Sequence, residues 1–279
     1  MASIGQIIFA SMIVLIVAIS GLIIFILAIA FSVSQGTVES SSPSIVGNIE
    51  KDVVLDCRFL SNSGNEQLSD VSITWLKDAV SGVVYEYKNK AAQLQRQNNQ
   101  FKNRAQLFSD AISTGNASLL LRNVKMEDEG VYRVTVNAPK VSGTTSVNLR
   151  VAAFTAPTFS LANGSLSAKA SRWFPKPEVS WMSQTGQLLN SSTNFTNDNA
   201  GIMQVTSVLE NQVKVDDIYT CLIENALVKA ISEATVTANR VTEETYFIFS
   251  AASTKVSSLQ LLFTVILILS VTQTSLSSG

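Results

Sequence analysis

Two cysteines, Cys57 and Cys221, are the only thiols in this 279-residue sequence, and it contains no histidine. A thiol nucleophile needs a base beside it, and histidine is the usual one. Histidine is also the commonest metal ligand and the usual switch near neutral pH. Adjacent acids occur at Asp128-Glu129 and Asp216-Asp217, but each pair stands just before a tyrosine and reads as part of a structural turn. There is no Ser/His/Asp set, no metal-ligand cluster and no phosphate-cradling glycine loop. The sequence therefore predicts no catalytic centre, no cofactor and no metal. A net charge of −1 gives no basic footprint for nucleic acid. The chemistry that remains is modification. Asn116, Asn163, Asn190 and Asn194 each head an Asn-x-Ser/Thr triplet, a glycan acceptor wherever it is exposed in a secreted segment.

These residues sit in stretches that alternate apolar and polar side chains, the pattern of half-buried strands. Val53, Leu55, Cys57 and Phe59 form one such series, followed by Val71, Ile73 and Trp75. Leu119 and Leu121, then Tyr132, Val134 and Val136, then Val147, Leu149 and Val151 continue it. Turn-rich stretches at 61–67 and 139–143 separate them. A second block repeats the design with Leu166, Ala168 and Ala170, Val179 and Trp181, Tyr219, Cys221 and Ile223, and Ala234 and Val236. The polar stretch 184–200 reads as loops or a short edge strand. Two series of short strands predict an all-β chain of two tandem sandwiches.

The residues at fixed places within each block name the sandwich. A cysteine, a tryptophan on the third strand and an Asp-x-Gly-x-Tyr motif before the sixth-strand cysteine form the immunoglobulin pattern. The first block has Cys57, Trp75, Asp128, Gly130 and Tyr132, but Val134 stands where the second cysteine belongs. The second has Trp181, Asp217, Tyr219 and Cys221, but Ala168 stands where the first belongs. Positions 57 and 134 are far enough apart for the extra strands of a variable-type domain. Positions 168 and 221 suit a constant-type one. Arg104 is expected to pair with Asp128. Cys57 and Cys221 fall in separate cores, too far apart for the ~7 Å that a disulfide allows. No disulfide is expected, and both thiols are read as buried and inert. Alanine at 168 is expected to leave a small void against Trp181.

The apolar excess lies at the two ends. Ile7 to Val33 carries no charge and is long enough to span a bilayer. It reads as a signal sequence or a retained anchor, the former preferred because the folded part reads as extracellular. Val256 to Leu276 is also uncharged, which fits a transmembrane segment or a glycolipid-anchor signal. The expected organisation is 1–34 signal sequence or anchor, 35–153 variable-type domain, 154–240 constant-type domain, 241–258 stalk, and 259–279 transmembrane segment or anchor signal.

Five strings in order, MASIGQI at the start, ITWLK at 73–77, GNASL at 115–119, RWFPKPEVSW at 172–181 and YTCLIEN at 219–225, resemble the checkpoint ligands of T-cell co-signalling, relatives of the butyrophilins. The resemblance runs from the first residue to the C-terminal apolar run. It implies a glycoprotein on the extracellular face of the plasma membrane that negatively regulates T-cell activation by binding a protein receptor on T cells. The family pattern has a disulfide across each sandwich, so the missing partners at 134 and 168 are departures from it. In such ligands the outer face of the variable-type C, C′, F and G strands is the docking surface. The candidates there are Thr74, Leu76, Tyr85, Tyr87, Arg133 and Thr135, with the loop Asn137 to Gly143 at an edge. The alternative is a homophilic adhesion protein, whose mark is weak self-association.

Overall fold

The computed structural model describes residues 4–33, 36–60, 70–139, 141–238 and 240–250, with described side chains in the first of these at 5 and 12–27. The expected turn at 61–67 and the C-terminal apolar run lie outside the described residues. Ile4–Val33 is one uncharged helix, α1, whose described side chains are all exposed. Among the described residues no helix is long and apolar enough to cross a membrane.

The first domain runs through β1 (Thr37–Glu39), β2 (Ser44–Asn48), β3 (Val53–Leu55), β4 (Arg58–Leu60), β5 (Ser72–Lys77), β6 (Tyr85–Lys88), β7 (Ala91–Ala92), β8 (Ala105–Leu107), β9 (Leu119–Leu121), β10 (Gly130–Ala138) and β11 (Val141–Ala152). A six-stranded sheet in the order β2-β11-β10-β5-β6-β7 faces a three-stranded one, β3-β9-β8, and β1 pairs with β4. Alternation turns every second side chain to the interior. Leu55, Cys57, Ile73, Trp75, Leu119, Leu121, Tyr132, Val134 and Leu149 share one core with no exposed surface.

The second domain is built from β12 (Thr158–Ala162), β13 (Ser165–Trp173), β14 (Glu178–Ser183), β15 (Leu188–Leu189), β16 (Ser191–Asn197), β17 (Met203–Leu209), β18 (Ile218–Glu224), β19 (Val228–Val236) and β20 (Val241–Phe249). Sheet β12-β13-β17-β16 lies against sheet β15-β14-β18-β19-β20. Of the two readings of 184–200, loops or a short edge strand, the second holds: β16 is an edge strand paired along its length with β17. Two sequence expectations change here. The loop expected at 137–143 is largely strand, because Asn137 pairs with Ser142 and Ala138 with Val141. The segment read as a stalk from 241 is strand through Phe249 and completes the sheet beside β19.

Neither core contains a disulfide, and both cysteines are free and buried. Burial, aided at Cys57 by the charge of Asp56, pushes both thiols up to about 12. What crosses each sandwich is an indole N–H. Trp75 Nε1, on the six-stranded sheet, donates to the Ala117 carbonyl at 2.9 Å. Ala117 in turn donates its N–H to the Cys57 carbonyl on the far side. In the second domain Trp181 Nε1, on β14, donates at 2.9 Å to Ser207 Oγ on β17 of the opposite sheet. The void expected beside Ala168 is filled: Phe159, its cross-strand partner, packs edge-on against Trp181 at 5.8 Å.

A second brace closes the foot of the first sandwich. The Arg104 guanidinium holds the Asp128 carboxylate at both ends, 2.8 Å each. Gln100 Nε2 and the Lys125 N–H also donate to it. Asp128 is fully buried and its partner nearly so, unlike the exposed ion pairs that stabilise little. Tyr132 Oη donates to the Asp128 carbonyl at 2.8 Å. In the second domain the matching tyrosine, Tyr219, accepts from the Lys214 N–H at 3.0 Å.

Candidate receptor-binding face

The outer face of the six-stranded sheet follows from strand register. Residues directly opposite on neighbouring strands point to the same side. Trp75 pairs with Val134, both buried, so Leu76 opposite Arg133 and Thr74 opposite Thr135 turn outward. Leu76 and Arg133 are exposed, and Thr74 and Thr135 half-buried. Across β11, Thr135 and Thr144 share a hydroxyl hydrogen bond of 3.0 Å. Ser142 Oγ donates to Asn137 Oδ1 at 2.7 Å. Arg133 reaches Asp78 at 2.9 Å. These pairs fix a hydroxyl-rich surface with one exposed leucine, Leu76, next to one cation.

Two of the six candidates do not belong to it. Tyr85 lies opposite Trp75, and Tyr87 opposite Ile73. Since Trp75 and Ile73 face the interior, so do both tyrosines, half-buried against the core. Burial, with the neighbouring Tyr87, pushes the Tyr85 hydroxyl above its ordinary range. The outward residues of β6 are Glu86, opposite Thr74, and Lys88. Sequence reasoning missed Glu86 and Lys88, along with Thr144 and Ser146 of β11, while Ser142 falls within the 137–143 segment it placed at the edge. Parity carried over from Trp75 through the β5–β6 pairing would have found the first.

The four glycan acceptors lie off this face. Asn116 is half-buried beside the opposite sheet, bridged to Arg58, with its Oδ1 accepting from the Ser118 N–H at 2.9 Å. Asn163 is exposed in the β12–β13 turn with a positive φ of 51°. Asn190 stands exposed between β15 and β16, and Asn194 exposed on β16. Among the described residues no group of acidic or cysteine side chains could hold a metal ion.

Fold and face together define a two-domain protein of the immunoglobulin superfamily, variable-type then constant-type. An immunoglobulin V-set domain model matches residues 40–152. A model described as the Ig-C domain of a butyrophilin subfamily 3 member A2-like protein matches 162–232. The chain is 35% identical to human V-set domain-containing T-cell activation inhibitor 1 over 269 residues, 92% of this chain and 94% of that protein. Identity to the Rattus norvegicus protein of that name is 35% over 250 residues, 86% of this chain and 87% of the other. The crystal structure of the human B7-H4 IgV-like domain is 34% identical and covers 42% of this chain and 96% of its own, with a TM-score of 0.38. The chain belongs to the family of V-set domain-containing T-cell activation inhibitors.

Proposed function

We propose that this chain is a ligand on the extracellular face of the plasma membrane that restrains T-cell activation, and that it docks a protein receptor on T cells through the outer face of β5, β6, β10 and β11. Leu76 and Arg133 stand at the centre of that face, with Thr74, Thr135 and Glu86 around them. Arginine is among the side chains that protein interfaces concentrate, and Arg133 is exposed here beside an apolar neighbour. The observation that carries the reading is the separation of glycan and face. Asn116 lies by the opposite sheet, and the other three acceptors lie in the second domain, so the first domain's six-stranded sheet stays uncovered.

The test is functional. Beads carry residues 36–250 with a T-cell receptor stimulus, and T-cell divisions are counted against a control ectodomain. Fewer divisions are expected, and Leu76→Asp with Arg133→Glu should restore them without lowering the melting temperature. Unchanged division by folded, glycosylated protein overturns the reading. Symmetric self-association would then favour homophilic adhesion.

A further inference from the structure

In the second domain, β19 runs away from the first domain, and β20 then turns back along it. Val241 pairs with Val236, and Phe249 with Val228. The return ends at the domain junction. Ser250 donates its N–H to Leu227 O at 3.0 Å and its hydroxyl to Ala226 O. Phe249 packs 5.4 Å from Phe154, whose carbonyl accepts from Asn48 of the first domain at 3.0 Å. The chain thus leaves the folded part beside the elbow rather than at the far end.

Length makes this matter. The nine residues of β20 cover ~30 Å at ~3.4 Å each. From Ser250 to Val256, where the uncharged stretch begins, a fully extended chain reaches only ~20 Å, and it attains ~30 Å at Leu259. An upright ectodomain, standing on the end where β19 finishes, would need that whole linker pulled straight back down the domain.

The face next to this exit carries exposed apolar side chains beside one ion pair, Lys229 with Glu224, in the row of Ile248. Tyr246 and Ile248 point outward from β20, each 51% exposed. Beside them lie Ile231, opposite Tyr246, and Leu222, opposite Ile231. Further down, the same face turns acidic, where Glu233 meets Glu244. The glycan acceptors Asn190 and Asn194 sit at the other edge of the sandwich, by β15 and β16. The two half-exposed side chains offer roughly 200 Å², from ~150–250 Å² for a fully buried aromatic. A stable pairing of two copies needs ~800 Å² from each. Shallow seating of an aromatic and an aliphatic side chain at a lipid–water boundary needs no such area.

We propose that this patch, centred on Tyr246 and Ile248, rests on the lipid bilayer, so that the second domain lies along the membrane and the elbow, not the domain's far end, is held at its surface. The inference rests on the reading that the 256–276 stretch is the membrane anchor. The test uses the full chain in phosphatidylcholine vesicles. Cys57 and Cys221 are buried, so a thiol-directed fluorophore labels only an introduced cysteine, Tyr246→Cys or, as a control on the opposite domain, Arg133→Cys. Nitroxide-bearing lipids should quench the probe at 246 several-fold more than the probe at 133, and adding Ile248→Glu should remove most of the difference. Equal quenching in chains that float with the vesicles overturns the proposal while leaving the anchor intact. Quenching at 246 that follows protein density rather than nitroxide content assigns the face to a second copy and also overturns it. A chain that does not float removes the anchor reading, and the proposal with it.

Discussion

Replacing Asp128 by asparagine keeps the shape of the side chain and removes its charge. The wild-type carboxylate is fully buried and meets Arg104 at 2.8 Å through both oxygens, with Gln100 and the Lys125 N–H as further donors. The variant leaves a guanidinium with little solvent access facing an amide that can accept at only one atom. Breaking a buried pair from one side costs about 3–5 kcal/mol, a large part of a domain's ~5–15 kcal/mol. At a few degrees per kcal/mol for a domain of this size, the first domain's melting temperature should fall by ~10–20 °C. The second domain's should not move. Trp75 lies in the first core and Trp173 and Trp181 in the second, so calorimetry with fluorescence separates the two transitions. Acid adds a second readout. Burial pushes the Asp128 carboxyl up, but the hydrogen bonds from Arg104, Lys125 and Gln100 and the charge of Arg104 outweigh it and hold it below the usual range. Its contribution is therefore complete above the unfolded value of ~3.9 and is lost as pH falls through the lower folded value. Wild type should lose stability more steeply in that window than Asp128→Asn. A variant that melts within a degree or two of wild type, with an unchanged acid slope, would refute the assignment of Asp128 as the brace.

Restoring a cysteine at 134 should let it bridge to Cys57. Closing a loop of 77 positions gives ~4.5 kcal/mol in the chain-entropy limit; Val134→Cys should raise the first transition, and an unchanged or lower melting temperature would show that the two strands are not poised to bridge. With both thiols pushed to about 12, neither should react with maleimide in the native chain from pH 7 to 9, and two should react after denaturation. Ser207→Ala removes the acceptor of the Trp181 indole. Leaving that buried donor unpaired should cost about 1–3 kcal/mol, read in the second transition alone.

Much of this fold was legible because its signals are local. Cys57, Trp75, Asp128 and Tyr132 each mark a strand by type and spacing, and all four are buried where the pattern requires. Arg104 could be paired with Asp128 because both positions recur in the same pattern. What escaped depends on partners distant in sequence. The parity of Tyr85 and Tyr87 is set by the register of β6 on β5, which the intervening turn decides; one residue of slip exchanges the faces. Strand β16 is polar along most of its length because it is an edge strand with solvent on its outer side, so its sequence offered an edge strand only beside the alternative of loops. β20 reads as linker because its Thr-Glu-Glu start precedes its aromatic residues, and only pairing with β19 makes it a strand. The packing of Phe159 beside Ala168 could not be seen from spacing at all.

The indole bonds of Trp75 and Trp181 have a consequence for where this protein can exist. A sandwich joined by sulfur has a stability tied to the redox poise of its compartment, and a strained or exposed bridge opens when reductants exceed its potential. Here the two sheets are joined by N–H donors, which neither gain nor lose electrons. The fold requires no oxidase to form and no isomerase to sort cysteine partners. Neither of these two indole bonds depends on an oxidising compartment, as a disulfide does.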